Sequence, residues 1–144
     1  MKPADKISKY ICYGEIIRSD SARRLGLSNE PDETTIAKIK LLCNNVFDKA
    51  REHFGVPIFV SSCFRSPEVN KAVGGQTKSQ HMRGEAIDID CDVFGKVTNK
   101  QLFDYIRDNL DFDQLLWEGG VKGWVHVSYK AIGNRKSVGV IPKP

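Results

Sequence analysis

The 144-residue sequence has no apolar run long enough to cross a bilayer, so it predicts no membrane span. Its first residues are polar and are not followed by the apolar segment of a secretory signal. We therefore expect synthesis in the cytoplasm without a signal peptide, and a target outside the membrane would require a separate release step. Internal repeats and low-complexity tracts are also missing, which argues against repeat architectures and disordered linkers.

Cysteine is scarce and dispersed: the four cysteines form no CxxC pair. This spacing argues against the common structural zinc and dithiol redox motifs, and we expect reduced, buried thiols. The net charge of +4 could favour an anionic polymer. However, lysine and arginine are scattered among aspartate and glutamate without a dense basic stripe, so no nucleic-acid partner is predicted.

The length and the 40% apolar fraction predict a single domain over residues 1–144, with a core over about 10–130 and a loosely held tail after Ala131. Residues 9–18 look extended, and a short helical turn is expected between Ser19 and Gly26. A long helix should open at Pro31-Asp32-Glu33 and end before Gly55. Its apolar residues recur at spacings of three and four: Ile36, Ile39, Cys43, Val46, Phe47, Ala50 and Phe54.

The remaining chain alternates short β-rich runs with two helices. One helix should begin at Ser66-Pro67, and a Thr98-to-Gln101 capping box should open the other. A polar loop is expected over Gly75 to Gly84. Strands are predicted at Ile58–Cys63, Glu85–Cys91, Phe112–Trp117 and Gly123–Tyr129. The predicted fold class is α+β, a small antiparallel sheet with helices packed on it.

Two histidines and an aspartate stand out as possible metal ligands. His81 lies in the polar loop, Asp88 in the strand that follows it, and His126 in the last predicted strand. Asp88 alternates with Ile87 and Ile89, and a carboxylate in a core strand needs a partner because an unpaired buried charge is costly. Two imidazoles and one carboxylate suit one zinc ion and leave a fourth position open for water.

His53, near the end of the long helix, is interpreted as a surface or capping residue and not as a ligand. A zinc hydrolase also needs a carboxylate that accepts a proton from the attacking water. If residues 119–123 form a hairpin loop, Glu118 lies opposite Trp124 on the face that carries His126. A one-residue slip would turn Glu118 away. Glu118 is the predicted base, and the competing candidates are Asp90, Asp113 and Glu85.

Three further residues are candidates for substrate binding. Arg65 follows a predicted buried strand and precedes a capped helix, where its guanidinium could bind a substrate carboxylate in a bidentate manner. Ser79 and Gln80 precede His81 directly, so they could bind the same substrate or orient the ligand.

The motifs together resemble the zinc D-alanyl-D-alanine carboxypeptidase family, metallopeptidase family fifteen, which shares its fold with the signalling domain of hedgehog. The family pattern Ser-x-His-x-x-Gly-x-Ala-x-Asp is present at residues 79–88, and Trp-x-His at residues 124–126. An upstream Ser-x-x-Arg-Ser is present at residues 62–66. The similarity runs from Tyr13 to Tyr129, and the chain looks like the short phage and bacterial members.

This resemblance implies zinc held by His81, Asp88 and His126, with Arg65 gripping a carboxylate of a peptidoglycan stem peptide. Many relatives carry the catalytic acid three residues before the last histidine, where this chain has Gly123. By this resemblance, short members carry it instead at the end of the preceding strand, which again points to Glu118.

The leading hypothesis is a zinc peptidase that cleaves stem peptides of the cell wall at a bond involving a D-amino acid. The sequence leaves open a carboxypeptidase or an endopeptidase, and a role in host lysis, wall remodelling or a virion. The alternative is a non-catalytic zinc-containing domain of the same fold that binds cell wall or a protein. A hydrolase for a free dipeptide is a weaker third possibility. A monomer is the expected state of a small enzyme that acts on a polymer.

Overall fold

The computed structural model describes residues 1–141, apart from the side chain of Val121, and shows a mixed sheet covered on one face by helices. The part of the chain described contains five strands in the order β1-β2-β4-β3-β5. Their bounds are β1 Phe59–Ser62, β2 Ala86–Asp90, β3 Gln114–Glu118, β4 Trp124–Ser128 and β5 Ser137–Ile141. The predicted α+β class is confirmed.

The helices precede or separate the strands. The bounds are α1 Tyr13–Ile17, α2 Asp20–Leu25, α3 Glu33–Leu42, α4 Asp48–Phe54, α5 Pro67–Ala72 and α6 Asn99–Asn109. Short 3₁₀ turns cover Gln80–Arg83, Cys91–Val93 and Gly120–Lys122. None of the helices within residues 1–141 combines the length and apolarity that a bilayer crossing requires.

The predicted long helix is present as α3 and α4, joined by a π-helical turn at Cys43–Phe47. Its predicted apolar stripe supplies much of the core, and Ile39, Val46 and Phe47 are fully or almost fully buried. The core side of the sheet supplies Ile87, Ile89, Leu115, Val125 and Val127 to the same cluster. Because side chains alternate along a strand, the intervening residues lie on the opposite face, away from this cluster.

Two sequence predictions need correction. Part of the segment predicted as extended over residues 9–18 is helical, because Glu15 accepts a hydrogen bond from the Cys12 main-chain N–H (3.0 Å) and opens helix α1. Tyr13 and Ile16 are buried at a helical spacing of three. The buried residues of this segment therefore follow a helical period and not the extended conformation that the sequence predicts.

The tail is the second correction. A loosely held tail is expected after Ala131, yet β5 pairs in parallel with the whole of β3, from Gln114↔Ser137 to Glu118↔Ile141. The sheet therefore combines the predicted antiparallel pairs with one parallel pair. Residues 142–144, which include two prolines of the predicted tail, lie outside the described residues.

The predicted helix caps are confirmed. The hydroxyl of Ser66 accepts from the Val69 N–H, and Thr98 and Gln101 form the capping box of α6. The first residue of α6, Asn99, is buried and bonds to the Cys91 N–H (2.8 Å) and the Gly123 carbonyl (3.0 Å). It thus ties the end of β2 to the β3–β4 hairpin and helps to hold that hairpin in place.

Candidate metal centre and cavity

Two of the three predicted ligands are direct neighbours across the sheet. Asp88 of β2 pairs with His126 of β4, and Leu116 of β3 pairs with His126 from the other side. The flanking residues Ile87 and Val125 point into the core and are fully buried. Strand alternation therefore forces Asp88 and His126 onto the opposite face, at the short separation typical of cross-strand pairs.

His81 reaches the same point from a loop. It lies in the 3₁₀ turn Gln80–Arg83, which ends at Gly84 with φ +72°. A Cβ at Gly84 would lie 2.8 Å from Thr35 atoms, so both the backbone conformation and the close packing on α3 require glycine. The turn brings His81 Nε2 to 3.3 Å from Asp88 Oδ2.

A hydrogen bond to the main chain fixes the ring orientation of His81. Its Nδ1 lies 2.6 Å from the main-chain carbonyl oxygen of Cys63. A carbonyl only accepts hydrogen bonds, so Nδ1 carries the proton and donates it. In the neutral ring, Nε2 then presents its lone pair towards Asp88, which is the arrangement that a metal-ligating histidine needs.

His126 completes the group. Its Nδ1 lies 2.8 Å from Asp88 Oδ1, and its ring centre is 5.3 Å from that of His81. Burial alone would raise the pKa of Asp88, but the two histidines outweigh it and hold that pKa well below its ordinary value. Asp88 is therefore an anion at neutral pH.

The donor atoms of His81, Asp88 and His126 all lie within 4.8 Å of one another and could hold a metal ion. Two imidazole nitrogens and one carboxylate oxygen are a donor set that suits zinc. His53, which we excluded as a ligand, lies in α4 and stacks on Tyr105 with ring centres 3.9 Å apart.

These residues line a cavity of about 810 Å³. Of the described residues that line it, Asp88 and Glu118 are the two with carboxylates. Glu118 pairs with Trp124 in the β3–β4 ladder, as the proposed hairpin loop predicts. The Trp124 indole N–H donates to Glu118 Oε2 (3.0 Å), which leaves Oε1 able to accept a proton.

The other carboxylates considered as a base have partners elsewhere. Asp90 accepts from the Asp92 N–H (3.1 Å) and the Asn99 amide (3.2 Å). Glu85 pairs with Arg83 at 2.8 Å, and Asp113 is enclosed by hydrogen bonds from an arginine and a glutamine. None of these three belongs to the described cavity lining.

Gly123 occupies the position where many relatives carry the catalytic acid, and the backbone there has no room for a side chain. A Cβ at Gly123 would lie 1.6 Å from the carbonyl oxygen of Glu118. This close approach results from the tight hairpin loop, in which Gly119 and Gly120 both have positive φ. The same loop that excludes an acid at Gly123 directs Glu118 towards the cavity.

The predicted substrate-binding residues also reach the cavity. Arg65 is half-buried, and its Nε is buried without a hydrogen-bond partner among the described residues. Burial lowers the pKa of Arg65, while the carboxylates of Asp88 and Glu118 act in the opposite direction. The Ser79 hydroxyl accepts from the His81 N–H (3.2 Å), and the Gln80 amide donates to Asp113 (2.9 Å).

Two cavity residues, Lys130 and Arg135, and the buried Asp113 behind them do not appear among the predicted substrate-binding residues. Lys130 and Arg135 follow β4 and lie in or next to the segment predicted as a loose tail. Only the basic composition of Lys130, Arg135 and Lys136 could have suggested a role. Their place beside the cavity depends on β5, which the sequence pattern does not predict.

The model of one protein family, described as Peptidase M15, matches residues 9–128 of this chain. The match includes the three donor residues, Glu118 and Arg65, and it ends at the last residue of β4. No curated protein matches the sequence significantly.

Proposed function

The chain belongs to the peptidase M15 family, and from that membership and the cavity we propose a zinc-dependent peptidase that hydrolyses peptidoglycan stem peptides at a bond involving a D-amino acid. The position of Glu118 is the observation that supports a catalytic function. Its carboxylate is on the same sheet face and in the same cavity as the His81, Asp88 and His126 group. A carboxylate so placed can accept a proton from an attacking water, which supports hydrolysis over binding alone.

In this proposal His81 Nε2, His126 Nδ1 and a carboxylate oxygen of Asp88 hold one zinc ion. The donor set and the orientation of His81 by the Cys63 carbonyl fit that role. When bound, zinc would polarise the scissile carbonyl and lower the pKa of water.

Glu118 performs the proton transfers. Its Oε1 accepts a proton from the attacking water as the new carbon–oxygen bond forms, while the Trp124 indole N–H holds Oε2 in place. As the carbon–nitrogen bond breaks, Glu118 passes the same proton to the leaving amine, so the carboxylate is regenerated.

Arg65 binds a carboxylate of the substrate. Its buried, unpartnered Nε favours an acceptor, and its position near Asp88 and Glu118 places that acceptor next to the reacting bond. A carboxylate would satisfy the orphaned N–H in a bidentate pair. Ser79 and Gln80 would contribute further hydrogen bonds from the adjacent wall, and the enzyme would act as a monomer on the wall polymer.

The test is mass spectrometry of purified stem peptides after incubation with the zinc-loaded protein, with the chelated protein as the control. We expect cleavage that chelation abolishes and zinc restores. Loss of one terminal alanine would identify a carboxypeptidase, and two larger fragments an endopeptidase. Absence of cleavage across several wall chemistries, with zinc bound, would favour the non-catalytic binding domain instead.

A further inference from the structure

The β3 strand places the candidate metal group in the middle of the cavity floor. Along β3, Glu118 pairs with Trp124 and Leu116 pairs with His126. Gln114 lies two residues further on, where its main-chain N–H bonds to Ser128 Oγ (3.0 Å). Two residues of a strand span about 7 Å, so Glu118 and Gln114 lie on opposite sides of the His126 row.

The Gln114 end of the cavity carries two cations, Lys130 and Arg135. Arg135 donates two hydrogen bonds to the Asp113 carboxylate, from Nε to Oδ1 and from Nη2 to Oδ2, both at 2.9 Å. Lys130 Nζ lies 3.8 Å from Asp113 Oδ2. The Lys130 main chain is held in turn by two hydrogen bonds of 2.9 Å with the Asn134 amide, so the loop carrying both cations is closed on itself.

Asp113 is the anchor of this arrangement. Its side chain is fully buried, and it also accepts from the Gln80 amide at 2.9 Å. Arg135 keeps the pKa of Asp113 depressed, at about 2, so one negative charge faces two positive ones. The Arg135 side chain remains 57% exposed and the Lys130 side chain 34% exposed. The pair therefore presents a net positive charge to the cavity.

Arg65 supplies a third positive charge to the same cavity. Its main-chain N–H donates to the carbonyl oxygen of His81 (3.2 Å), so it lies next to the candidate metal group. A substrate that extends along the cavity would therefore meet cations both at the candidate metal group and at the Gln114 end.

We propose that Lys130 and Arg135 form an anion subsite at the Gln114 end of the cavity for an internal carboxylate of the substrate, distinct from the carboxylate bound by Arg65. This inference rests on the proposed function. The spacing of about 7 Å corresponds to about two extended peptide residues between the bond and the carboxylate-bearing residue. Asp113 acts as a positioning residue that orients Arg135 and Gln80, and it does not touch the substrate.

The test uses pairs of synthetic stem peptides that differ only in one internal carboxylate, free in one peptide and amidated in the other. The amidated position is scanned through the three residues on each side of the bond. We expect kcat/KM to be about tenfold higher for the free acid at one position, the usual value of one charged hydrogen bond, and nearly equal at the others. The ratio within each pair cancels differences in folding or zinc content.

Substitutions of Lys130 and Arg135 then test whether these two residues cause the preference for the free acid. We expect Lys130→Gln to lower the acid-to-amide ratio several-fold and Arg135→Lys to retain most of it. Arg135→Gln alone would leave the buried carboxylate of Asp113 without its bidentate partner, so the double variant Asp113→Asn with Arg135→Gln replaces it. Lys122→Gln removes a lysine from the hairpin turn at the Glu118 end, outside the described cavity lining, and should not change the ratio.

Isothermal titration of the metal-free protein with the same peptide pairs separates this inference from the proposed function. Tighter binding of the free acid, weakened by Lys130→Gln, together with no cleavage by the zinc-loaded protein, would remove the peptidase and keep the subsite. Cleavage or binding that is indifferent to the carboxylate at every scanned position would overturn the subsite. Equal loss of preference in Lys122→Gln would also overturn it.

Discussion

The imidazole of His81 donates its Nδ1 proton to the main-chain carbonyl of Cys63, at 2.6 Å. The contact is to the backbone, so the orientation of this candidate ligand does not depend on the thiol of Cys63. Since Cys63 is fully buried and burial raises the pKa of its thiol, the thiol stays protonated and does not compete for the metal.

We therefore expect Cys63→Ala to retain one zinc ion per chain and to lose about 1 kcal/mol of folding stability through the small cavity it creates. His81→Ala should weaken zinc binding by more than about a hundredfold. Elemental analysis and thermal unfolding with and without zinc would measure both effects. His53→Ala, at a histidine outside the site, is the control, and loss of zinc in Cys63→Ala would show that the thiol itself takes part.

Glu118→Gln should separate zinc binding from turnover. The glutamine can still accept the Trp124 indole N–H, but it cannot take a proton from water, so kcat/KM should fall by about 10²- to 10⁴-fold at unchanged zinc content. Peptide cleavage and elemental analysis on the same preparation test this. Glu85→Gln, at a carboxylate paired with Arg83, is the control and should keep its activity. Normal turnover in Glu118→Gln would remove Glu118 from the mechanism.

The buried pair of Asp113 and Arg135 should make folding stability depend on acid pH. The side-chain hydrogen bond from Arg135 is the main cause that lowers the pKa of Asp113 from 3.8 to about 2. The folded state thus favours the ionised form, which adds about 2 kcal/mol of stability at pH values above about 4. This contribution fades as the pH falls from about 4 towards 2.

Asp113→Asn should accordingly lose about 2 kcal/mol at pH 7 and approach the parent protein near pH 2. Urea unfolding at a series of pH values, followed by tryptophan fluorescence, would measure the difference. Asp111→Asn removes an exposed neighbouring carboxylate and is the matched control. A stability difference that stays constant between pH 7 and pH 2 would contradict the ion pair as its source.

Gly123 and Gly139 offer a contrast in available space. A Cβ at Gly123 would overlap the Glu118 carbonyl oxygen at 1.6 Å, so Gly123→Ala must displace the hairpin backbone. We expect a loss of about 3 kcal/mol or more. A Cβ at Gly139 would meet only the flexible end of the Leu116 side chain, at 3.0 Å, so Gly139→Ala should stay within about 1 kcal/mol. Equal effects in chemical denaturation would show that the hairpin is not tight.

The sequence predicts correctly those parts of the fold that have a strong local pattern. The helix stripe through Ile39 and Val46 and the capping box at Thr98 each carry their signal within a few residues. The pairing of Glu118 with Trp124 follows from the assumption of a hairpin loop over residues 119–123, and the structure has that register. The register of β3 against β4 depends on the turn that joins them, so its signal also lies within a few residues.

The missing parts depend on contacts between distant segments. Strand β5 is short, and its alternating valines, Val138 and Val140, are exposed and lie beside a glycine, so the local pattern is weak and its ladder with β3 defines it. The link from Asp113 to Arg135 joins residues 22 apart, and the link from Gln80 to Asp113 joins residues 33 apart. Asp113 considered alone therefore looked like a candidate base.

The cross-strand pairing of Asp88 with His126 has a consequence for protein design. Their relative position is dictated by the main-chain ladder of two antiparallel strands and needs no particular loop. A designer could therefore graft this half-site onto the non-hydrophobic face of another antiparallel sheet with two substitutions. The third donor is not transferable in the same way, because His81 relies on the Gly84 turn and on the carbonyl behind it. A transplanted centre would need that loop copied as a unit.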